Sequence, residues 1–370
     1  MSAGTTMNAL VYEAPELMLL RSVPRPVPGR GEVLVRVEYS GICGSELSGF
    51  LGHSSLRTAP LIFGHEFAGT VAECGEDVVG YAVGDRVTAN PLSSCGTCEF
   101  CLAAHQELCP SRKLLGAMLP GSNAEYLVVA AVSLSTVPES LALSAASMAE
   151  PAACAVHAVT RSGIGPADTA LVIGVGPIGM FLIQVLLAHG VTTVFVTDRN
   201  SERCRMAAAL GALVIPDGEG FLSAVRERTD GRGVSIAFDA AGTRTTRRNC
   251  LAAVAPGGSV MLVGLHEDET SLPLNTVIRS EVSLHGVFAY TPTAFRTALA
   301  WLEAGRIGLA EGVVEVDLVD GAQWYRRLLE GDPALKVLLR PRTAACRVHH
   351  PTGYRQGSAT PTSCSVPGAS

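Results

Sequence analysis

Residues 169–179 read Thr-Ala-Leu-Val-Ile-Gly-Val-Gly-Pro-Ile-Gly, and this stretch decides the fold. A short apolar strand runs into Gly174-x-Gly176-x-x-Gly179, which opens an apolar helix-like run ending near residue 189. The three glycines act differently: the first makes the tight turn, the second admits a pyrophosphate to the backbone, and the third packs helix on strand. The free N–H groups and positive dipole end of that helix suit the phosphates. The following strand, Val194-Phe-Val-Thr-Asp198, closes on an acid roughly 20 residues further on, where a carboxylate binds the adenosine ribose and repels a 2′-phosphate. Alone, the glycine pattern is a weak signal. With strand, helix and acid in place it predicts a dinucleotide site, with NAD favoured over NADP, although Arg199 beside the acid could meet a phosphate.

Working outward, strands alternate with helical runs: 170–174, 177–189, 193–197 and 201–210, strands near 212 and 235 with a helix between, a helix at 244–254 and a strand at 259–263. Val282 to Phe288 adds a strand and 294–303 a helix. That alternation is a parallel, doubly wound sheet. Upstream the rhythm differs. Met7 to Tyr12, Glu32 to Tyr39, Ala68 to Cys74, Asp85 to Ala89 and Ala124 to Val129 alternate apolar residues between turns, which describes a β-rich lobe. The proline-rich Pro24 to Gly31 reads as a surface connection. Thr343 to Ser370 is rich in Ser, Thr, Pro and Gly without apolar period, so 342–370 is predicted to be a disordered tail, His349 and His350 included.

The β-rich lobe is interrupted by Cys95-Gly-Thr-Cys98-Glu-Phe-Cys101 and, eight positions on, Cys109. Four thiols this close predict a closed tetrahedral zinc cage, with Gly96 letting the backbone curl so that the sulfurs converge. A closed cage leaves no position for substrate, so this ion should fold a lobe and catalyse nothing. A disulfide pair is the competing reading. It is disfavoured because the opening residues lack the basic flank and apolar centre of an export signal. The other cysteines (Cys43 apart) show no paired spacing, and a cytoplasmic setting follows from the same usage.

Composition excludes several classes. Of 370 residues, 48% are hydrophobic and only 17% charged, as in a well-buried enzyme of two domains. A net charge of −6 gives no footprint for nucleic acid. No apolar run reaches membrane-span length; Ala170 to Ala188 is broken by three glycines and a proline.

Taken with Gly64-His65-Glu66, the cage and the glycine-rich turn occur in an order that resembles the zinc-dependent medium-chain alcohol and polyol dehydrogenases over roughly residues 7 to 340. The resemblance implies a GroES-like catalytic domain from 1–153 and 290–341 and a Rossmann domain from 154–289. It implies one structural and one catalytic zinc per chain, and a homodimer or homotetramer. It adds Ile178, Arg203, Val263, Gly264, Leu265, Phe288 and Ala289 to the cofactor-lining set of Gly174, Gly176, Gly179 and Asp198. It also implies a second metal site of Cys43, His65, Glu66 and Glu150, a donor set that leaves a position open. Singly, each of these four reads as an ordinary core or capping residue. Which of Glu66 and Glu150 touches the ion stays open, and Cys154 reads as core. Glutamate at 150, where simple alcohol dehydrogenases carry cysteine, resembles the branch acting on polyols, threonine and cyclitols. The stretch 43–48 resembles 2-deoxy-scyllo-inosamine dehydrogenases.

The expected reaction is oxidation of a secondary alcohol to a ketone, with zinc acidifying the hydroxyl, Ser45 taking its proton and the nicotinamide taking hydride. Many relatives continue the relay with a histidine at the position of Ser48. His53 reads equally as a substitute or as a solvated loop histidine, and His157 reads as packing. Competing readings are a zinc-independent NADPH enone or quinone reductase, which would lack the cysteine sets, and a non-catalytic nucleotide-binding protein, which would have lost Cys43, His65 or Ser45.

Overall fold

The structure, a computed structural model, describes residues 6–341. The tail predicted over 342–370 lies outside the described residues.

The glycine-rich turn sits where the sequence puts it. Thr169–Ile173 is an inner strand of a six-stranded parallel sheet. In sheet order its strands are Leu213–Val214, Thr193–Thr197, Thr169–Ile173, Val234–Asp239, Val254–Leu262 and Ser283–Gly286. Numbered along the chain this is 3-2-1-4-5-6, the dinucleotide-binding order, with its crevice where the order reverses. Buried on both faces, Ala170, Leu171, Val172, Val194, Phe195 and Val196 form a continuous apolar run and do not alternate.

A seven-stranded sheet makes the other lobe. Glu32–Gly41 is its hub, pairing antiparallel with Glu66–Cys74, Tyr126–Ala130 and the distant Lys336–Arg340. The chain's last described strand therefore completes the lobe that its beginning starts. A hairpin of Leu92–Ser93 and Lys113–Leu114 frames the cysteine loop.

Helix Ala149–Ser162 joins the lobes. It is alanine-rich, carries Glu150 in its first turn and stops at Gly163, whose φ of 66° provides the left-handed cap. Ala152, Ala155, Val156 and Val159 lie in one apolar core with Phe181, Leu182 and Val185 of helix Pro177–Ala188 and Phe295, Ala298 and Leu299 of helix Pro292–Glu303.

Two expectations need correction. The strand predicted over 282–288 spans only Ser283–Gly286, because the chain leaves the sheet at Val287 and Tyr290 turns inward, 1% exposed. Strand Leu17–Pro24 was absent from the sequence reading. It pairs with Thr6–Ala14 along its length, yet its side chains are mostly exposed and show no apolar alternation.

Candidate active site and metal centres

Cys43 is the N-cap of a short helix, Gly44–Phe50, at the end of the hub strand. Beneath it the rings of Tyr12, Phe50, Phe63 and Tyr325 pack at centroid separations of 4.9–6.2 Å. Such pairs contribute about 0.5–1.5 kcal/mol each beyond their area. His65 and Glu66 arrive on the neighbouring strand, Gly41 standing opposite Glu66. Gly41 is glycine for a local reason: a Cβ there would collide with the Glu66 carboxylate and the Lys336 side chain.

The structure brings Cys43, His65 and Glu66 together, with one ligand atom from each within 4.8 Å of the others. His65 is 4% exposed and Glu66 1%. His65 Nδ1 lies 2.7 Å from Glu46 Oε1, which leaves Nε2 as the ligating nitrogen, and a carboxylate behind the imidazole fixes ring and tautomer. Glu46 also accepts from the Gly64 amide at 3.0 Å and from the Tyr325 hydroxyl at 2.5 Å. Burial opposes a charge on His65, but the Cys43 sulfur and the Glu46 carboxylate outweigh it and raise its pKa well above the usual range. A metal ion answers the same accumulation of negative charge, so the donor set fits zinc.

Glu150 stands outside that trio but within its field. Burial pushes its carboxyl up to about 7; Glu66 adds to the rise, while His65, the Tyr290 hydroxyl and Lys336 oppose it. Lys336 is the unexpected member. It is 2% exposed, donates to the Ile42 carbonyl at 3.0 Å and pairs with Glu66. Burial would lower its pKa, yet the charges of Glu66 and Cys43 raise it.

Ser45 Oγ lies 3.5 Å from Cys43 Sγ, beside the trio as predicted. Its other neighbour is Arg57, whose Nη2 donates to Oγ at 3.2 Å. Ser48 and His53 are exposed. Cys154 packs against the helical core and burial raises its thiol pKa, while His157 is 9% exposed and shifted down by burial; both are packing residues, as expected.

At the cage, Sγ–Sγ separations are 3.5 Å for Cys98–Cys101, 3.6 Å for Cys95–Cys109 and 3.8 Å for Cys95–Cys101. A zinc–sulfur bond of about 2.3 Å in a tetrahedron gives an edge of about 3.8 Å, so the four sulfurs already span the right solid. A disulfide would need about 2.05 Å. Backbone N–H groups of Thr97 and Cys98 lower the Cys95 thiol to about 6, so one ligand is readily ionised.

The nucleotide crevice fits equally well. A Cβ on Gly179 would stand 1.9 Å from the Gly174 carbonyl, whereas one on Gly176 would meet nothing within 4 Å. Gly179 is thus required by the fold, and Gly176 borders open space for a phosphate. Gly174 has φ of 94°. Asp198 is half-buried, and its carboxylate accepts from the Val175 amide at 2.6 Å and the Asn200 amide at 2.8 Å, which ties the acid to the glycine-rich turn. Ile178 is half-buried at the helix start. Arg203 has a buried Nε without a partner, in the helix that follows Asp198. Val263 and Gly264 follow the fifth strand, Gly264 so close to Gly242 that neither tolerates a Cβ. Leu265 and Phe288, large and apolar, are 76% and 40% exposed. Ala289 has φ of 47°, an uncommon conformation for a residue with a side chain, just before Tyr290 reaches Glu150.

Sequence reading missed Glu46, Arg57, Tyr290 and Lys336. Of these only Glu46 carried a signal, as an acid three positions after a ligand at a helix start.

A parallel dinucleotide sheet joined to a β-rich lobe with a four-cysteine cage and a Cys/His/Glu centre defines a zinc-dependent, nicotinamide-linked dehydrogenase. Residues 29–139 match the alcohol dehydrogenase GroES-like domain and residues 177–304 the zinc-binding dehydrogenase domain. A sorbitol dehydrogenase of Halalkalibacterium halodurans is 32% identical, the match covering 86% of this chain and 94% of that one. A D-arabitol-phosphate dehydrogenase of Enterococcus avium is also 32% identical, over 90% and 97%. The crystal structure of 2R,3R-butanediol dehydrogenase from Bacillus subtilis superposes with a TM-score of 0.83 at 28% identity, over 91% and 100%. The chain belongs to the zinc-binding alcohol dehydrogenase family. It is an NAD(P)-dependent oxidoreductase acting on secondary alcohols.

Proposed function

We propose that this enzyme interconverts a polar secondary alcohol, a polyol or amino-cyclitol carrying a hydroxyl next to the reacting carbinol, and the corresponding ketone, with NAD preferred to NADP. The observation that carries this is the pair of carboxylates, Glu66 in the trio with Cys43 and His65, and Glu150 outside the trio but within its field. Two oxygens in place of a second thiolate make a hard, polar floor. Lys336 and the Tyr290 hydroxyl leave further acceptor positions on these carboxylates, and an alkyl substrate would bury them without a bond, at a cost of about 1–3 kcal/mol. The polyol activities named for the relatives agree with this.

Cys43, His65 and a carboxylate would hold a zinc ion, which would supply a Lewis acid for a carbinol oxygen, as a bound nicotinamide would supply the hydride acceptor. Ser45 hydrogen-bonds the carbinol, Glu46 orients His65, and Lys336 balances Glu66. Asp198 holds the adenosine ribose, and Gly174, Gly176 and Gly179 border the pyrophosphate. Ile178, Arg203, the 263–265 segment, Phe288 and Ala289 complete the cofactor's walls. The catalytic unit comprises 1–153 with 290–341, and the cofactor unit 154–289.

A homo-oligomer is supported by the edge strand Ser283–Gly286 and its neighbour, helix Leu274–Arg279. That helix has no buried residue among those described and exposes Leu274 and Ile278 at 61% and 70%. A cytoplasmic setting is supported by the nine described cysteines, all unpaired.

The test is kcat/KM for ethanol, 2,3-butanediol, sorbitol, threonine and an amino-cyclitol at one pH, each with NAD and NADP. The cyclic or linear polyols should lead with NAD. Ethanol as the best of the five would remove the polyol assignment, and preference for NADP would show Arg199 prevailing over Asp198.

A further inference from the structure

Arg57 has no assigned part in the chemistry above, yet the chain makes room for it. It is 7% exposed in the loop between helix Gly44–Phe50 and strand Leu61–Ile62. Its stem crosses the helix at Gly49, where a Cβ would lie 2.4 Å from Arg57 Cδ, so that position is kept without a side chain. Its guanidinium carbon sits 5.6 Å from the centroid of the Phe63 ring. Nε donates to the Gly116 carbonyl at 3.1 Å and Nη2 to Ser45 Oγ at 3.2 Å. Among the described residues no carboxylate forms an ion pair with it. Glu46 acts on it only at longer range, and is itself engaged by His65, Gly64 and Tyr325.

A guanidinium carries five donors and no acceptor, and it keeps its charge at any pH a protein tolerates. Two consequences follow for Ser45. Its oxygen accepts from Arg57, so its own proton faces the Cys43 side, and no proton can leave through the arginine. A fixed positive charge also stands next to the point where the substrate's carbinol must sit, with N–H groups not engaged by the protein.

We infer that Arg57 is a specificity-determining residue: it favours an oxygen substituent, hydroxyl or anionic, on the carbon next to the reacting carbinol and disfavours an ammonium there. This rests on the secondary-alcohol reading of the site. It is compatible with an amine placed further round a ring.

The minimal pair is 2,3-butanediol and 3-amino-2-butanol, which share a skeleton and differ by one vicinal group. Both are measured at pH 7.5 with the zinc-loaded enzyme: kcat/KM with NAD, and calorimetric Kd on the NADH-loaded protein, where no oxidation occurs. Wild type should favour the diol at least tenfold. Arg57→Met should reduce that ratio fivefold or more, while Arg57→Lys, which keeps the charge and loses the fork, should hold it within twofold even as absolute rates fall. Loss of packing alone would weaken both ligands together and leave the ratio where it was. Arg57→Gln replaces the methionine variant if that protein fails to fold. An unchanged ratio in a folded neutral variant overturns the inference. Absence of turnover with every secondary alcohol would instead overturn the dehydrogenase reading, and the Kd ratio would still decide the arginine's role.

Discussion

Replacing Lys336 by methionine should be the most destabilising single change of a charged side chain in the catalytic lobe. The ammonium and the Glu66 carboxylate are each 1% exposed, and the ammonium also holds the Ile42 carbonyl. Methionine fills the space of the stem but leaves a buried carboxylate without its counter-charge, a change that costs about 3–5 kcal/mol. At about 2–4 °C per kcal/mol for a unit of this size, the melting midpoint should fall by roughly 10 °C. The sign with pH is also fixed. The folded pKa of Lys336 is raised, so its contribution is complete below the unfolded ammonium range and is lost only as pH climbs through the higher folded value. The deficit should therefore be present at pH 6 and undiminished at pH 8, where Glu150 has also ionised. Thermal unfolding followed by circular dichroism, on zinc-loaded and chelator-treated protein, measures it. The double variant Lys336→Met/Glu66→Gln, which removes both charges, should regain most of the loss. A single variant melting within 2 °C of wild type, or a double variant no better than the single, would refute the account of a mutually dependent buried pair.

Each purified chain should carry two zinc ions: Cys43→Ser should keep the fold and abolish turnover, while loss of any cage cysteine should compromise folding, and one zinc in fully active enzyme by metal analysis would contradict this. Gly176→Val should fold normally and lose NADH affinity by fluorescence titration, whereas Gly179→Ala should also lower the melting midpoint, because only the second Cβ meets backbone. Asp198→Ala should narrow the kcat/KM preference for NAD by weakening NAD and admitting NADP. In the metal-free protein, Glu150 holds its proton up to about 7 against a usual 4.5, so stability should fall as pH rises between those values, by an order of 3 kcal/mol, and Glu150→Gln should flatten that slope in urea titrations.

What could be read from the sequence was what recurs locally. The cage ligands share one loop, and the glycine-rich turn, its strand, its helix and Asp198 are contiguous; spacing alone conveys them. The Cys43, His65 and Glu66 trio was legible through motif order, because each ligand is short-range to its own strand end. Lys336 was not, since the backbone group it holds is 294 residues away and nothing around it departs from an ordinary strand. Tyr325 reaches Glu46 across 279 residues in the same silent way. Arg57 reads as a loop arginine until Gly49 is seen to vacate its path. The true length of Val282–Phe288 was hidden because an apolar run looks alike in a sheet and in a cleft wall.

The closing of the first lobe by Lys336–Arg340 has a consequence for the order of synthesis. As the chain leaves the ribosome, the cage thiols emerge together, within fifteen residues. Cys43, His65 and Glu66 emerge earlier still, yet Lys336 and the strand that pairs with Ser40 and Gly41 are added only after the whole parallel sheet has been made. For most of translation the catalytic ligands are therefore present without the cation that balances Glu66. The four-cysteine loop is thus complete within one short stretch, whereas Glu66 has its buried counter-charge only once the last described strand has been added.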